Sequence, residues 1–283
     1  MKIKKKVWKQ KHGVTFITLV VMGLFANFAF AEEGFVPLFD GETLNGWISA
    51  RSTGDGDWGA FSTNKEEQAI HVYAGKKQGS KQTHDCLVTK KQFSHYILRM
   101  EYKWLEKRFE PRVNWDRDAG LLFHVHGDLK KVWPNCFEMQ IGETPGHVTA
   151  KSEDYWQGRK PKHRFHSGDF FTVSTKAHLR SQTKRKGNLW DPKGESITIY
   201  GNSITPFGKE KAKGKWNEVE IRVHGHKKAT FILNGEVVFE TMNMEQKKDG
   251  KFVPIKKGHI GLQAESAELL YRNIRIKELK EEK

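Results

Sequence analysis

Two histidines, a glutamate and a glutamine lie two residues apart in neighbouring stretches of this chain, where they could act as one group. The stretches are Ala119-Gly-Leu-Leu-Phe-His-Val-His126 and Phe137-Glu-Met-Gln-Ile141. Successive side chains on a strand point to opposite sides. Read as paired strands, Leu121, Phe123 and Val125 share an apolar face with Phe137, Met139 and Ile141. Leu122, His124 and His126 then take the other face, with Glu138 and Gln140. Glu138 is the one acid on that face, which suits a catalytic carboxylate; the plainer reading is a structural salt bridge, for example with Arg99. Gln140 would face the same groove and could hydrogen-bond a polar ligand there. Imidazoles serve as acid or base near neutral pH. The same spacing beside a glutamate also suits a His₂Glu metal site, but no third ligand is dictated, so a divalent metal is the lesser expectation and no cofactor is assigned.

Gln263 and Glu265 repeat the pattern on another strand. A second carboxylate facing Glu138 would complete an acid–base pair. Asp118 precedes the first strand and could reach the groove from a loop, although turn formation is the commoner role of such a residue. Trp133, just before Glu138, is placed to stack on a ring or to bury in the core.

The elements that must carry these residues are strands. Tyr96 to Trp104 alternates over nine residues, the pattern of a half-buried strand. Val219, Ile221 and Val223 alternate with Glu218, Glu220, Arg222 and His224, and Asn234-Gly235 between two apolar runs marks a tight hairpin. Trp58 to Phe61, Ala69 to Tyr73, Ile260 to Ala264 and Leu269 to Lys277 read as further strands. Residues 74–84 and 105–118 read as loops, and 142–196 as long loops with a strand or two around Phe170 to Val173. Residues 32–283 contain no amphipathic helix of useful length. Short strands joined by turns give an all-β class, an antiparallel β-sandwich.

The chain of 283 residues carries a formal charge of +15. Six lysines fall in residues 1–11, an apolar run follows from Val14 to Ala29, and Ala29-Phe-Ala31 is a small-x-small cleavage site. Residues 1–31 therefore read as a signal peptide. The apolar run is shorter than the roughly 20 residues that span a bilayer, so no stable membrane insertion is expected after cleavage, and a periplasmic or secreted location is. Without residues 1–31 the charge falls to +9. The excess is scattered, with no basic helix or aromatic–basic interleave, so nucleic acid is not an expected partner. Cys86 and Cys136 are the only cysteines; a disulfide and two buried thiols both remain open.

Several segments, in order, resemble the 3-keto-disaccharide hydrolase family. They are Leu38-Phe-Asp-Gly-Glu-Thr-Leu-Asn-Gly-Trp47, Asp118-Ala-Gly-Leu-Leu-Phe-His124, Glu138-Met-Gln140, Trp216-Asn217, Leu233-Asn-Gly235, Gly258-His-Ile-Gly-Leu-Gln263 and Tyr271-Arg-Asn-Ile-Arg-Ile276. The resemblance runs from about Phe35 to Leu279. It implies a concanavalin A-like jelly-roll sandwich with a concave sugar-binding sheet, and a carbohydrate substrate oxidised at C3. Members of the family are described as hydrolases or 1,2-lyases of 3-keto-glycosides. Two departures stand out: Asp118-Ala-Gly120 replaces an Asn-Ser-Gly run, and residues 142–215 are long and lysine-rich. A ketone at C3 acidifies the C2 proton. A base near C2, an acid near the glycosidic oxygen and a group that stabilises the enolate complete an elimination, and water adding back gives net hydrolysis. Glu138, His124 and Glu265 are the candidate catalytic groups; Gln140, His126, Gln263, Asp118 and Trp133 are the candidate substrate contacts. A non-catalytic carbohydrate-binding module and a glycan hydrolase of unoxidised sugars are the alternatives.

Overall fold

The alternation of Tyr96 to Trp104 sets the frame of the molecule. In a computed structural model, Tyr96, Leu98, Met100, Tyr102 and Trp104 are buried, while Ile97, Arg99, Glu101 and Lys103 are less so. The structure describes residues 34–54, 56–143, 167–182, 189–203 and 209–281. These belong to a unit running from Glu33 to Lys283. The signal peptide expected over residues 1–31 lies outside the described residues.

The strands are β1 (Val36–Pro37), β2 (Trp47–Ser49), β3 (Phe61–Asn64), β4 (Ala69–Val72), β5 (Asp85–Thr89) and β6 (His95–Arg108). They continue as β7 (Asp118–His126), β8 (Asn135–Gly142), β9 (Phe170–Val173), β10 (Thr175–Ser181), β11 (Glu195–Ile199) and β12 (Asn202–Ser203). Then come β13 (Asn217–His224), β14 (Lys228–Leu233), β15 (Glu236–Lys248), β16 (Lys251–Pro254), β17 (His259–Ala264) and β18 (Ala267–Glu278). One sheet runs β11-β10-β15-β14-β13-β6-β18-β4-β3, and off this path β1 pairs with β18 and β16 with β15. The other runs β12-β9-β8-β7-β17-β5-β2. Neighbouring strands within both are antiparallel. The two form the antiparallel jelly-roll sandwich that the strand pattern implies. Among the described residues there is no helix, and none long and apolar enough to cross a membrane.

The sheets meet through aromatic side chains, which bury the most apolar area per residue. Phe123 lies edge-on to Phe231 at 5.7 Å, and Phe170 stacks on Phe239 at 5.0 Å. The outer face of the larger sheet carries ion pairs such as Arg99–Glu220 and Arg272–Glu101. Both pairs are half-buried rather than exposed. Asn234 and Gly235 have φ of 51° and 85°, the doubly left-handed pair that a two-residue hairpin needs. Within residues 142–196, read as long loops with a strand or two, the described residues hold β9, β10 and the start of β11, and β12 follows at Asn202–Ser203. The four are only two to seven residues long, too short for a strong period.

Strand β7 departs from simple alternation. His124 adopts a left-handed φ of 50°, and the register to β8 shifts between Phe123 and His126. Such a bulge adds a residue to one strand and inverts every side chain beyond it. Leu121 and Phe123 enter the main core as expected, but His124 also points inward. It is fully buried, with Nε2 2.9 Å from the Gly225 carbonyl in the turn after β13. Val125 swings outward to join Leu122, Cys86 and Cys136. Gly258 permits this geometry, because a Cβ there would overlap the Cα and carbonyl carbon of His124.

Burial holds the His124 pKa down to about 4. The folded ring is therefore neutral, whereas the unfolded ring titrates near 6.5. Its contribution is present above pH 6.5 and is lost as pH falls from 6.5 towards 4. The full loss is about 3 kcal/mol. Urea melts of the native chain and His124→Gln should therefore show the stability gap shrinking across that window. A gap that stays constant from pH 7 to pH 4 would mean that His124 does not titrate as a buried neutral group.

Candidate active site

Three adjacent strands, β8, β7 and β17, form the floor of the site. On the side away from the core they present Glu138 and Gln140, Gly120, and Gln263. Gly120 pairs with Gln140, and Leu122 lies opposite both Glu138 and Gly261. Gly120 leaves a notch that its neighbours fill. A Cβ there would overlap Gln263 Oε1 and Glu138 Oε1 and lie 2.8 Å from Glu138 Cδ. Gln263 Oε1 and Glu138 Oε1 face each other across this notch.

Asp118, at the head of β7, and Glu265, just past β17, close the group. Arg112 Nη1 donates to Asp118 Oδ2 at 2.6 Å and also to Glu265 Oε2. Gln140 Nε2 donates to Asp118 Oδ1 at 2.5 Å. Trp133 Nε1 donates to Glu265 Oε1. Burial, followed by the charges of Glu265 and Asp118, pushes the Glu138 pKa well above the usual carboxylate range. Asp118 is pushed up too, by burial first and Glu265 second, against the pull of Arg112. Burial beside other carboxyls makes ionisation costly, so Glu138 and Asp118 are both driven towards their neutral forms.

The loop between β7 and β8, residues 127–134, folds back over this sheet. Leu129 packs on the cluster that contains Ala50, Leu122 and Val125, and Lys130 Nζ reaches the Ser52 carbonyl at 3.3 Å. At the end of the loop Trp133 keeps 45% of its surface exposed while its indole N–H holds Glu265. The His84 ring meets Trp133 edge-on, with centroids 5.4 Å apart at 79°. Both rings line a cleft of about 240 Å³, together with Arg51, Lys81, Gln82, Pro111 and Val132. An exposed indole with a polar edge is a sound platform for a sugar ring.

The structure thus gathers six of the eight expected residues: Asp118, Trp133, Glu138, Gln140, Gln263 and Glu265. His124 is withdrawn into the core by the bulge and is no candidate for the groove. His126 sits eight positions along β7 from Asp118, more than roughly 20 Å away at strand rise, with its Nδ1 on the His124 carbonyl at 2.8 Å. Glu138 does not pair with Arg99, which binds Glu220. Two contributors carry no sequence signal. Arg112 lies in a stretch read as a charged loop, and His84 ends one rich in glycine, lysine and glutamine. Cys86 and Cys136 are free and buried. They lie on strands three places apart in the sheet, roughly 14 Å at strand spacing, beyond disulfide reach. Among the described residues no group of three or more His, Cys, Asp or Glu side chains is arranged to hold a metal ion.

Comparison with known proteins fits this architecture. No curated protein matches the chain. A candidate glycosyl hydrolase from Parabacteroides distasonis ATCC 8503 is 17% identical, with 88% of this chain and 95% of that chain covered and a TM-score of 0.53. A second protein of that description from the same organism is 18% identical, with 87% and 99% covered and a TM-score of 0.48. Carbohydrate-binding module CBM66 from Bacillus subtilis is 13% identical, with 82% and 95% covered and a TM-score of 0.43. At such identities the first of these speaks for the fold alone. The family model of the 3-keto-alpha-glucoside-1,2-lyase-like domain matches residues 34–277, from ahead of β1 to the end of β18. The sandwich and the floor strands carrying Asp118, Glu138 and Gln263 all fall within that match, and the chain belongs to the 3-keto-alpha-glucoside-1,2-lyase-like domain family.

Proposed function

We propose that this chain is an exported enzyme that cleaves the glycosidic bond of 3-keto sugars. One observation carries the reading: the exposed indole that lines the cleft is hydrogen-bonded to Glu265, a member of a buried carboxyl cluster. Membership of the lyase-like family supports the substrate class, and the leader read over residues 1–31 supports the location. The ketone at C3 makes the C2 proton removable. As a base takes it, the electron pair forms the C1–C2 double bond and the C1–oxygen bond breaks. The departing oxygen takes a proton from the carboxyl cluster, with Glu138 as the principal donor. Arg112 supplies positive charge at the back of the site as negative charge develops on the substrate. Water adding to C1 afterwards turns elimination into net hydrolysis.

Purified protein incubated with 4-nitrophenyl 3-keto-glucoside, as both anomers, should release nitrophenol, and the unoxidised glucosides should not react. Absence of release with either anomer between pH 5 and 9, with divalent metals added, would sink the proposal. Binding of an unoxidised polysaccharide without any turnover would assign the same groove to a binding module.

A further inference from the structure

We infer that His84 is the base that removes the C2 proton, an assignment that rests on the proposed 3-keto-glycoside chemistry. The reaction needs two proton-transfer groups in opposite states, one loaded and one empty. The carboxyl cluster is the loaded one: burial first, and then the charge of Glu265, drives both Glu138 and Asp118 towards their neutral forms. Glu265 is engaged on both oxygens, by Arg112 and by Trp133. That leaves the empty role to the cleft wall. Its titratable side chains are Arg51, Lys81 and His84, and the first two are cations suited to the enolate oxygen.

His84 has the geometry for the task. Its Nε2 lies 2.8 Å from Ser266 Oγ, which fixes the ring. With Nε2–H donated to that oxygen, Nδ1 keeps its lone pair, and Nδ1 has no hydrogen-bond partner among the described residues. The ring stands edge-on to the Trp133 indole. A sugar lying on that indole would present a ring carbon to the imidazole on one side and its C1 substituent to the carboxyl cluster behind Trp133 on the other. The groups facing His84 also favour the empty state. Burial lowers its pKa, as do Arg112 and Arg51, and Glu265 opposes them with a smaller effect than burial. The imidazole is therefore neutral at pH 7, ready to accept a proton.

In the forward step Nδ1 takes the C2 proton, the C1–oxygen bond breaks, and the leaving oxygen takes its proton from the carboxyl cluster. One proton enters the protein and one leaves it, on separate groups. Exchange at C2 therefore reports on His84 apart from bond cleavage. Methyl 3-keto-glucoside in D₂O, followed by proton NMR, gives C2 wash-out and methanol release in one experiment. His84→Asn and His84→Gln, folded by thermal melt, should lose at least about a hundredfold in both rates. The acid limb of kcat/KM, where His84 gains its proton, should vanish from their residual activity. Ser266→Ala, which keeps the imidazole, should keep that limb. Wild-type cleavage with wild-type C2 exchange in either folded His84 variant overturns the assignment and leaves the 3-keto reading standing. Failure of the native protein to exchange or cleave overturns both.

Discussion

Glu138→Gln lowers turnover of a 3-keto-glycoside by at least about a hundredfold and raises the melting temperature at pH 7. The two effects share one cause. Burial and the carboxylates of Glu265 and Asp118 raise the Glu138 pKa in the folded chain. Below the unfolded value of about 4.3 both states hold the proton, and the side chain carries no ionisation penalty. As pH rises through that value the unfolded chain ionises and gains, while the folded chain lags until its own raised pKa. The native protein is therefore destabilised at neutral pH by the property that keeps a transferable proton in the site. A neutral amide of the same shape is free of that penalty. In a domain of this size each kcal/mol relieved is worth about 2–4 °C. The stabilisation should be present at pH 7 and absent at pH 4. If Glu138→Gln instead melts earlier at pH 7, Glu138 is an ionised structural partner. If turnover is unchanged, Glu138 has no part in the chemistry.

That prediction separates what could be read from the chain from what could not. The Glu-x-Gln spacing places Glu138 and Gln140 on one face because β8 is regular, and the same logic holds for Gln263. It fails at His124, where a single left-handed residue shifts the phase of β7 and exchanges His124 with Val125 between the faces. Histidine visits that conformation more readily than a β-branched residue does, but nothing in the local pattern announces it. What demands it is remote: the Gly225 carbonyl on the opposite sheet and the missing side chain at Gly258. Arg112 is hidden for a similar reason. Its partners are 6 and 153 residues away, and a loop has no period from which a direction could be read. Trp133 was legible as a candidate only. Its role follows from a loop that folds back over its own sheet, a path set by Leu129 and Lys130 rather than by the tryptophan. Sheet faces are local arithmetic, whereas the closing of a site by loops is a property of the assembled fold.

Gly120→Ala should disable the site while leaving the sandwich intact. Gly120 lies in the interior of β7, and its φ is not in the left-handed region, so alanine meets no backbone strain there. The conflict lies in space. Its methyl group would overlap Gln263 Oε1 and Glu138 Oε1 and crowd Glu138 Cδ. All three atoms belong to flexible side chains, so the backbone need not move. The side chains are buried, with Glu138 7% and Gln263 1% exposed, and they have little room to retreat. The carboxyl must shift by the order of an ångström, a misplacement that costs about a hundredfold in rate. Turnover should therefore fall nearly as far as in Glu138→Gln, and the double variant should be little worse than either alone, because both changes remove one function. Multiplicative losses in the double variant would show that Gly120 acts on something other than Glu138. Full activity in folded Gly120→Ala would mean that the notch does not position the acid at all.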